Sequence, residues 1–170
     1  MPKLTQVKET KRGRYALFFD GEFAFSLDED TFAMAGLHTG DELEEWQIHD
    51  LQTKSDTRKA VDKAMDLLAL RDHAAGELYQ KLCRSFDPHS AAAAVAKMQE
   101  LNLLDDAGFA RRRAAELLRK RKSHRAILDD LHAKGIDRGA AAEAVEALFA
   151  QSEEDEEENP ELANARALVE

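Results

Sequence analysis

The sequence predicts a mainly α protein: tandem three-helix repeats preceded by a small N-terminal β-hairpin region. Three observations carry this prediction. Glycine and proline supply only 11 of 170 residues, whereas alanine supplies 29 and charged residues 34%, a composition that favours helix. Aromatic side chains crowd the front of the chain, with seven of the eleven between Tyr15 and Trp46. From about Asp56 onward the apolar residues recur at helical spacing, and the pattern then returns at an offset of 50 residues.

The N-terminal region covers residues 1–55. Tyr15-Ala16-Leu17-Phe18-Phe19 and Glu22-Phe23-Ala24-Phe25-Ser26-Leu27 flank Asp20-Gly21. Aromatic and aliphatic runs on either side of an Asp-Gly pair predict a hairpin with a type I′ turn, in which Gly21 supplies a positive φ. Alternation places Phe23, Phe25 and Leu27 on one face. Asp28 is placed to cap a short helix through Met34, with Gly36 as its stop, and Thr39-Gly40-Asp41 reads as a turn. Residues 42–55 carry neither a helical nor a strand period.

Residues 56–104 form the first expected repeat. Ala60, Ala64, Leu67 and Leu68 share one helical face, and after Asp72 so do Ala75, Leu78, Tyr79 and Leu82. Asp87-Pro88 starts a third helix, with Asp as N-cap and Pro at the first helical position, striped by Ala91, Val95, Met98 and Leu101. Residues 105–150 form the second repeat. Its first helix opens at Asp105-Asp106 and carries Phe109, Ala110, Ala114, Leu117 and Leu118 inward. Ser123 caps the next, with Ile127 and Leu131 inward and a stop at Lys134-Gly135. Asp137 caps the last, which carries Ala141, Val145, Leu148 and Phe149. Asp87 aligns with Asp137, Ala91 with Ala141, Val95 with Val145 and Met98 with Leu148 at an offset of 50; Leu78 aligns with Ile127 and Leu82 with Leu131 at 49. A period near 50 marks stacked helical units. Residues 151–159 are expected as an acidic linker, because adjacent like charges repel. Residues 160–170, with Leu162, Ala165 and Val169, read as the start of an incomplete third repeat.

Several function classes drop out. No apolar run approaches the roughly 18 residues of a membrane span, and Met1-Pro2-Lys3-Leu4 leads into polar sequence with no signal-peptide core. The single cysteine, Cys83, cannot form an internal disulfide, which suits a reducing cytoplasm. The six histidines (38, 49, 73, 89, 124, 132) are scattered, and no zinc, nucleophile-elbow or phosphate-loop motif occurs. No catalytic residue, cofactor or metal is expected. Asp105-Asp106 resembles a carboxylate dyad only superficially, since acids at a helix start serve as caps and dipole partners.

Charge is distributed unevenly. The net charge is −10, yet residues 111–125 hold eight cations against the single Glu116. Those cations are Arg111, Arg112, Arg113, Arg119, Lys120, Arg121, Lys122 and Arg125. One reading is a solvated helix face with dipole-matched charges at its end; the sharper reading is a stripe that contacts a polyanion. No aromatic residue interleaves with these cations, so any nucleic-acid contact is expected at the phosphate backbone, independent of sequence and sensitive to salt. The close spacing of helices 105–120 and 123–134 also admits a second reading, a helix-turn-helix DNA-binding module with Arg125 near the start of its second helix.

Several segments together resemble the RecX regulatory proteins of bacteria. Arg14-Tyr15 through Asp20-Gly21-Glu22 to Phe25-Ser26 is similar to that family's N-terminal hairpin. Arg71 with Glu77-Leu78 and Lys81-Leu82 resembles its first-repeat signature. Leu104-Asp105-Asp106-Ala107-Gly108-Phe109-Ala110 resembles its LDDxxFA run, and Ile127, Leu131 and Lys134-Gly135-Ile136 its second-repeat ending. The resemblance spans about residues 5–150. The chain departs from the family where Ser123-His124 replaces a frequent Gly-Pro, and where most of a third repeat is missing. The resemblance implies a cytoplasmic, monomeric, non-enzymatic regulator of DNA recombination, repair and the SOS response. Such a protein binds RecA filaments on DNA, lodges in their helical groove, and usually inhibits ATP hydrolysis, strand exchange and coprotease activity. Its partners would be the RecA filament and single- or double-stranded DNA through phosphates, with the eight cations facing them, and no membrane.

Overall fold

The computed structural model describes residues 1–158, with side chains described through residue 153. Three strands, β1 (Leu4–Glu9), β2 (Tyr15–Phe19) and β3 (Glu22–Leu27), precede seven helices among the described residues: α1 (Glu29–Ala35), α2 (Glu45–Leu70), α3 (Ala75–Leu82), α4 (Pro88–Glu100), α5 (Asp106–Arg119), α6 (His124–Ala133) and α7 (Arg138–Glu158). The protein is thus mainly α, and the expected hairpin is two strands of a three-stranded antiparallel sheet of order β1-β2-β3. The start of a third repeat expected at residues 160–170 lies outside the described residues. Where an acidic linker is expected, α7 runs on through Glu158, in keeping with the high helix propensity of glutamate.

The chain divides into two compact units. The first comprises Met1–Asp66 and Lys81–Glu100; the second comprises Leu67–Gln80 and the chain from Leu101 onward. Two of the three boundaries fall inside α2 and α3, and the third directly after α4.

In the first unit, Asp20 and Gly21 both adopt positive φ (52° and 83°), as the type I′ turn requires. The side of Phe23 differs from expectation. Register passes from Leu17↔Phe25 to Phe18↔Phe23, leaving Ala24 without a partner. This bulge shifts the alternation by one residue. Phe25 and Leu27 enter the core while Phe23 is 60% exposed and meets Phe18 edge-on at 5.7 Å. β1 escaped the sequence reading because only Leu4 in it is fully buried. α2 begins at Glu45, where the Gln47 side-chain oxygen accepts the Glu44 amide at 2.8 Å, half of a capping box. Its inward face, Leu51, Ser55, Ala60 and Ala64, includes a serine and so shows no clean apolar period. Ser55 is buried for a reason: with Ser26 it satisfies the half-buried Arg14. The guanidinium donates to Ser26 Oγ and carbonyl at 3.0 Å each and to Ser55 Oγ at 3.2 Å. Asp28 caps α1 through the Thr31 amide, and Gly36 ends it in the left-handed region.

In the second unit α5, α6 and α7 pack on one another. Their core holds Phe109, Ala110, Ala114, Leu117, Ile127, Leu131, Ala141, Ala144 and Val145, joined by Ala74 and Ile136. Each large member contributes about 1.5–3 kcal/mol through burial. The 50-residue repeat is visible in burial: Leu78 and Ile127, Leu82 and Leu131, and Ala91 and Ala141 are all at most 1% exposed. Leu101 is the exception in its predicted stripe, being 43% exposed just beyond the end of α4. α6 closes with a Schellman motif, in which Gly135 (φ 86°) and Ile136 donate to the His132 and Leu131 carbonyls. There the backbones nearly touch: a Cβ on Gly76 would lie 2.7 Å from the Gly135 carbonyl oxygen.

Candidate functional site

The distinctive Leu104–Ala110 segment resolves into structural roles. Asp105 caps its own helix by accepting the Gly108 amide at 3.0 Å. Asp106 accepts the amide of Ala75, the first residue of α3, at 2.8 Å, so one acid pair starts two helices. Gly108, Phe109 and Ala110 are buried. Arg71 and Glu77, the other signature pair, form a bridge. Glu77 is 8% exposed; its two oxygens accept from Arg71 Nη1 at 2.9 Å and Lys134 Nζ at 3.2 Å. Burial opposes its ionisation, but the hydrogen bonds from Arg71 and Lys134 prevail and hold its pKa below the ordinary glutamate value.

These anchors orient α5. With Ala110, Ala114 and Leu117 facing the core, helical geometry sends Arg111, Arg112 and Arg119 to water, and all three are exposed. Arg113 is treated differently. It is half-buried, and its Nε and Nη2 hold both oxygens of Asp130 at 2.9 and 3.1 Å, while Nη1 reaches Glu116 at 3.3 Å. The bond to Asp130 raises its pKa further. This bidentate pair ties α5 to α6, so the Arg113 charge is neutralised within the fold. Arg112 meets Asp72 at 3.3 Å with both side chains more than half exposed, and Lys120 meets Glu116 at 3.2 Å, the bond that chiefly lowers the Glu116 pKa. Exposed pairs of this kind are worth about 0–1 kcal/mol and exchange readily with other anions.

Five of the eight cations remain. Among the described residues, Arg111, Arg119, Arg121, Lys122 and Arg125 are exposed and make no ion pair. Four of them cluster at the turn from α5 into α6. Arg121 occupies the left-handed region there (φ 61°). Its amide and that of Lys122 donate to the Leu118 and Leu117 carbonyls, the Schellman pattern with arginine where glycine is usual. Ser123 caps α6 through the Ala126 amide at 3.1 Å. It does the local work of a helix-initiating Gly-Pro, and His124 next to it contacts the Phe149 ring at 5.4 Å.

Two basic residues outside the run, His132 and Arg138, line one cavity with Arg125. The seven-residue spacing of Arg125 and His132 on one helix was the available signal; Arg138 lies on a different helix and gave none. Among the described residues no cluster of His, Cys, Asp or Glu could hold a metal ion, and no helix is long and apolar enough to cross a membrane. Cys83 is half-buried.

No protein-family model matches the chain. Individual relatives do. It is 26% identical over 149 residues to regulatory protein RecX of Caldanaerobacter subterraneus subsp. tengcongensis, covering 87% of this chain and 76% of that one. It is 31% identical over 158 residues to regulatory protein RecX of Lactobacillus gasseri, covering 92% of this chain and 57% of that one. The chain therefore spans about three quarters of the first relative and little more than half of the second. A crystal structure of a regulatory protein RecX superposes with a TM-score of 0.63 at 24% identity, over 87% of this chain and 74% of the other, which supports the fold.

Proposed function

We propose that this chain, which belongs to the RecX family of regulatory proteins, is a non-enzymatic regulator in the cytoplasm that binds RecA recombinase filaments on DNA. It then modulates, usually by inhibiting, their ATP hydrolysis, strand exchange and coprotease activity. The observation that carries this reading is the exposed, unpaired cation cluster Arg119, Arg121, Lys122 and Arg125 in a chain of net charge −10. An acidic protein that concentrates free cations at one helix junction is built to meet a polyanion locally while the rest of its surface repels one. Short helices joined by capped turns hold that junction rigid, which suits docking more than chemistry.

The test is a titration of the protein into RecA filaments on single-stranded DNA while ATP turnover is followed. Wild type should depress turnover, with an effect that weakens as salt rises. Replacing Arg119, Arg121 and Lys122 together with Ala should weaken the effect and flatten its salt dependence. Inhibition by this variant equal to wild type across the salt series would reject the assignment. Sharp discrimination among duplex sequences at fixed salt would instead favour the helix-turn-helix reading.

A further inference from the structure

We infer that the cleft between α6 and α7 is a binding site for one phosphodiester of single-stranded nucleic acid, gripped by Arg125 and Arg138. The cleft has a volume of about 410 Å³ and is lined by Arg125, Leu128, Asp129, His132, Arg138, Ala141 and Ala142. That size falls toward the low end of the roughly 300–1,000 Å³ typical of ligand pockets. Two arginines against one aspartate leave a net charge of +1 before His132 is counted. Neither arginine makes an ion pair among the described residues, and both are exposed. Arg113 on α5, only twelve residues before Arg125 in the chain, is by contrast saturated by carboxylates. Asp129, the one acid in the lining, makes no ion pair with either guanidinium among the described residues.

The floor decides what kind of anion fits. Leu128, Ala141 and Ala142 are apolar; Ala141 is buried, whereas Leu128 and Ala142 are only partly so and supply the accessible apolar surface. A free inorganic anion gains nothing from an apolar floor, whereas a nucleotide lays its sugar or base on it while its phosphate meets the arginines. The lining holds no Phe, Tyr or Trp, and its one ring, the His132 imidazole, is a single stacking surface, so the base is not clamped between two rings and the site accepts any sequence. The location supports the same ligand. Arg125 also belongs to the cation cluster at the α5–α6 turn, so the cleft continues that cluster and the next phosphate of the strand has a cation to meet. This inference rests on the filament-regulator reading for its choice of nucleic acid as ligand.

The experiment uses the full chain, isotopically labelled, with the dinucleotide pTpT followed by amide chemical shifts and with fluorescent oligothymidylate followed by anisotropy. Shifts should concentrate at residues 125–132 and 138–142. Arg138→Gln, at an exposed position of the first helical turn, should keep the wild-type helical circular dichroism. It should weaken oligothymidylate binding about tenfold, the effect of losing one charged hydrogen bond, and reduce the slope of log affinity against log salt by about 0.7. Arg138→Lys should restore part of the affinity, since the charge returns without the fork. Shifts confined to residues 119–122, an unchanged salt slope in Arg138→Gln, or equal shifts from oligoglutamate would overturn the site. The same variant is assayed on RecA filaments. Loss of oligothymidylate binding upholds the cleft even if the filaments prove insensitive to the wild-type protein, in which case only the filament reading falls.

Discussion

Replacing Glu77 by Gln should destabilise the fold by about 2–3 kcal/mol. The side chain is 8% exposed and accepts two charged hydrogen bonds, from Arg71 at 2.9 Å and Lys134 at 3.2 Å. Each charge-assisted bond contributes about 1.5–3 kcal/mol. The donors keep 46% and 33% of their side chains exposed, so water recovers part of the loss once the carboxylate is gone. For a chain of this length each kcal/mol shifts Tm by about 2–4 °C, giving a fall of about 4–12 °C at neutral pH by calorimetry. The pH profile supplies the sharper check. The folded-state pKa of Glu77 is depressed. Its contribution is therefore complete above the unfolded carboxyl pKa of about 4.3 and disappears as pH falls through the folded value. The gap between wild type and variant should close on acidification and not on alkalinisation. In a Lys134→Met background the Glu77→Gln change should cost less, because one partner is already missing. A neutral-pH difference below about 0.5 kcal/mol, within the range of an inert surface change, would refute the bridge. So would a gap that stays constant down to pH 3.

Two further substitutions separate packing from charge. Gly76→Ala should cost about 1–3 kcal/mol, read as a lower midpoint in urea, because the new methyl would meet the Gly135 backbone at 2.7 Å and neither backbone can yield; an unchanged midpoint would contradict the close approach. Arg121→Gly should raise stability by about 0.5–1 kcal/mol, since the left-handed conformation costs an L-residue roughly 1–2 kcal/mol and glycine's extra chain entropy returns part of that. The same variant should bind oligothymidylate more weakly, so a stabilised protein with undiminished binding would remove Arg121 from the interface.

Much of the candidate site was legible before any coordinates. The density of cations at residues 111–125 is a property of the chain, and the faces of α5 follow from the apolar positions Ala110, Ala114 and Leu117. What became of each charge was not legible. Spacing from Ala110 and Leu117 sets Arg113 beside the apolar stripe, but that its charge is taken up by Asp130, seventeen residues away, while Arg111 stays free, could not be read from it. Arg138 joins Arg125 only because α7 packs on α6. Leu104–Ala110 stood out as a motif, but that Asp106 starts α3 required the Ala75 amide to be brought to it from thirty-one residues upstream.

The sequence by itself determined where helices begin and end. Asp28, Asp87, Asp105, Ser123 and Asp137 each bond an amide three residues ahead, and Gly36 and Gly135 stop helices through their own φ; such interactions close within one turn and need nothing distant. Only the tertiary structure decided that β1 joins the sheet, that Phe23 turns outward at a bulge, that Ser55 is buried beneath Arg14, and which arginines stay free. Those outcomes depend on partners far along the chain, and whether a polar group is satisfied or exposed is settled by what packing brings within about 3 Å of it.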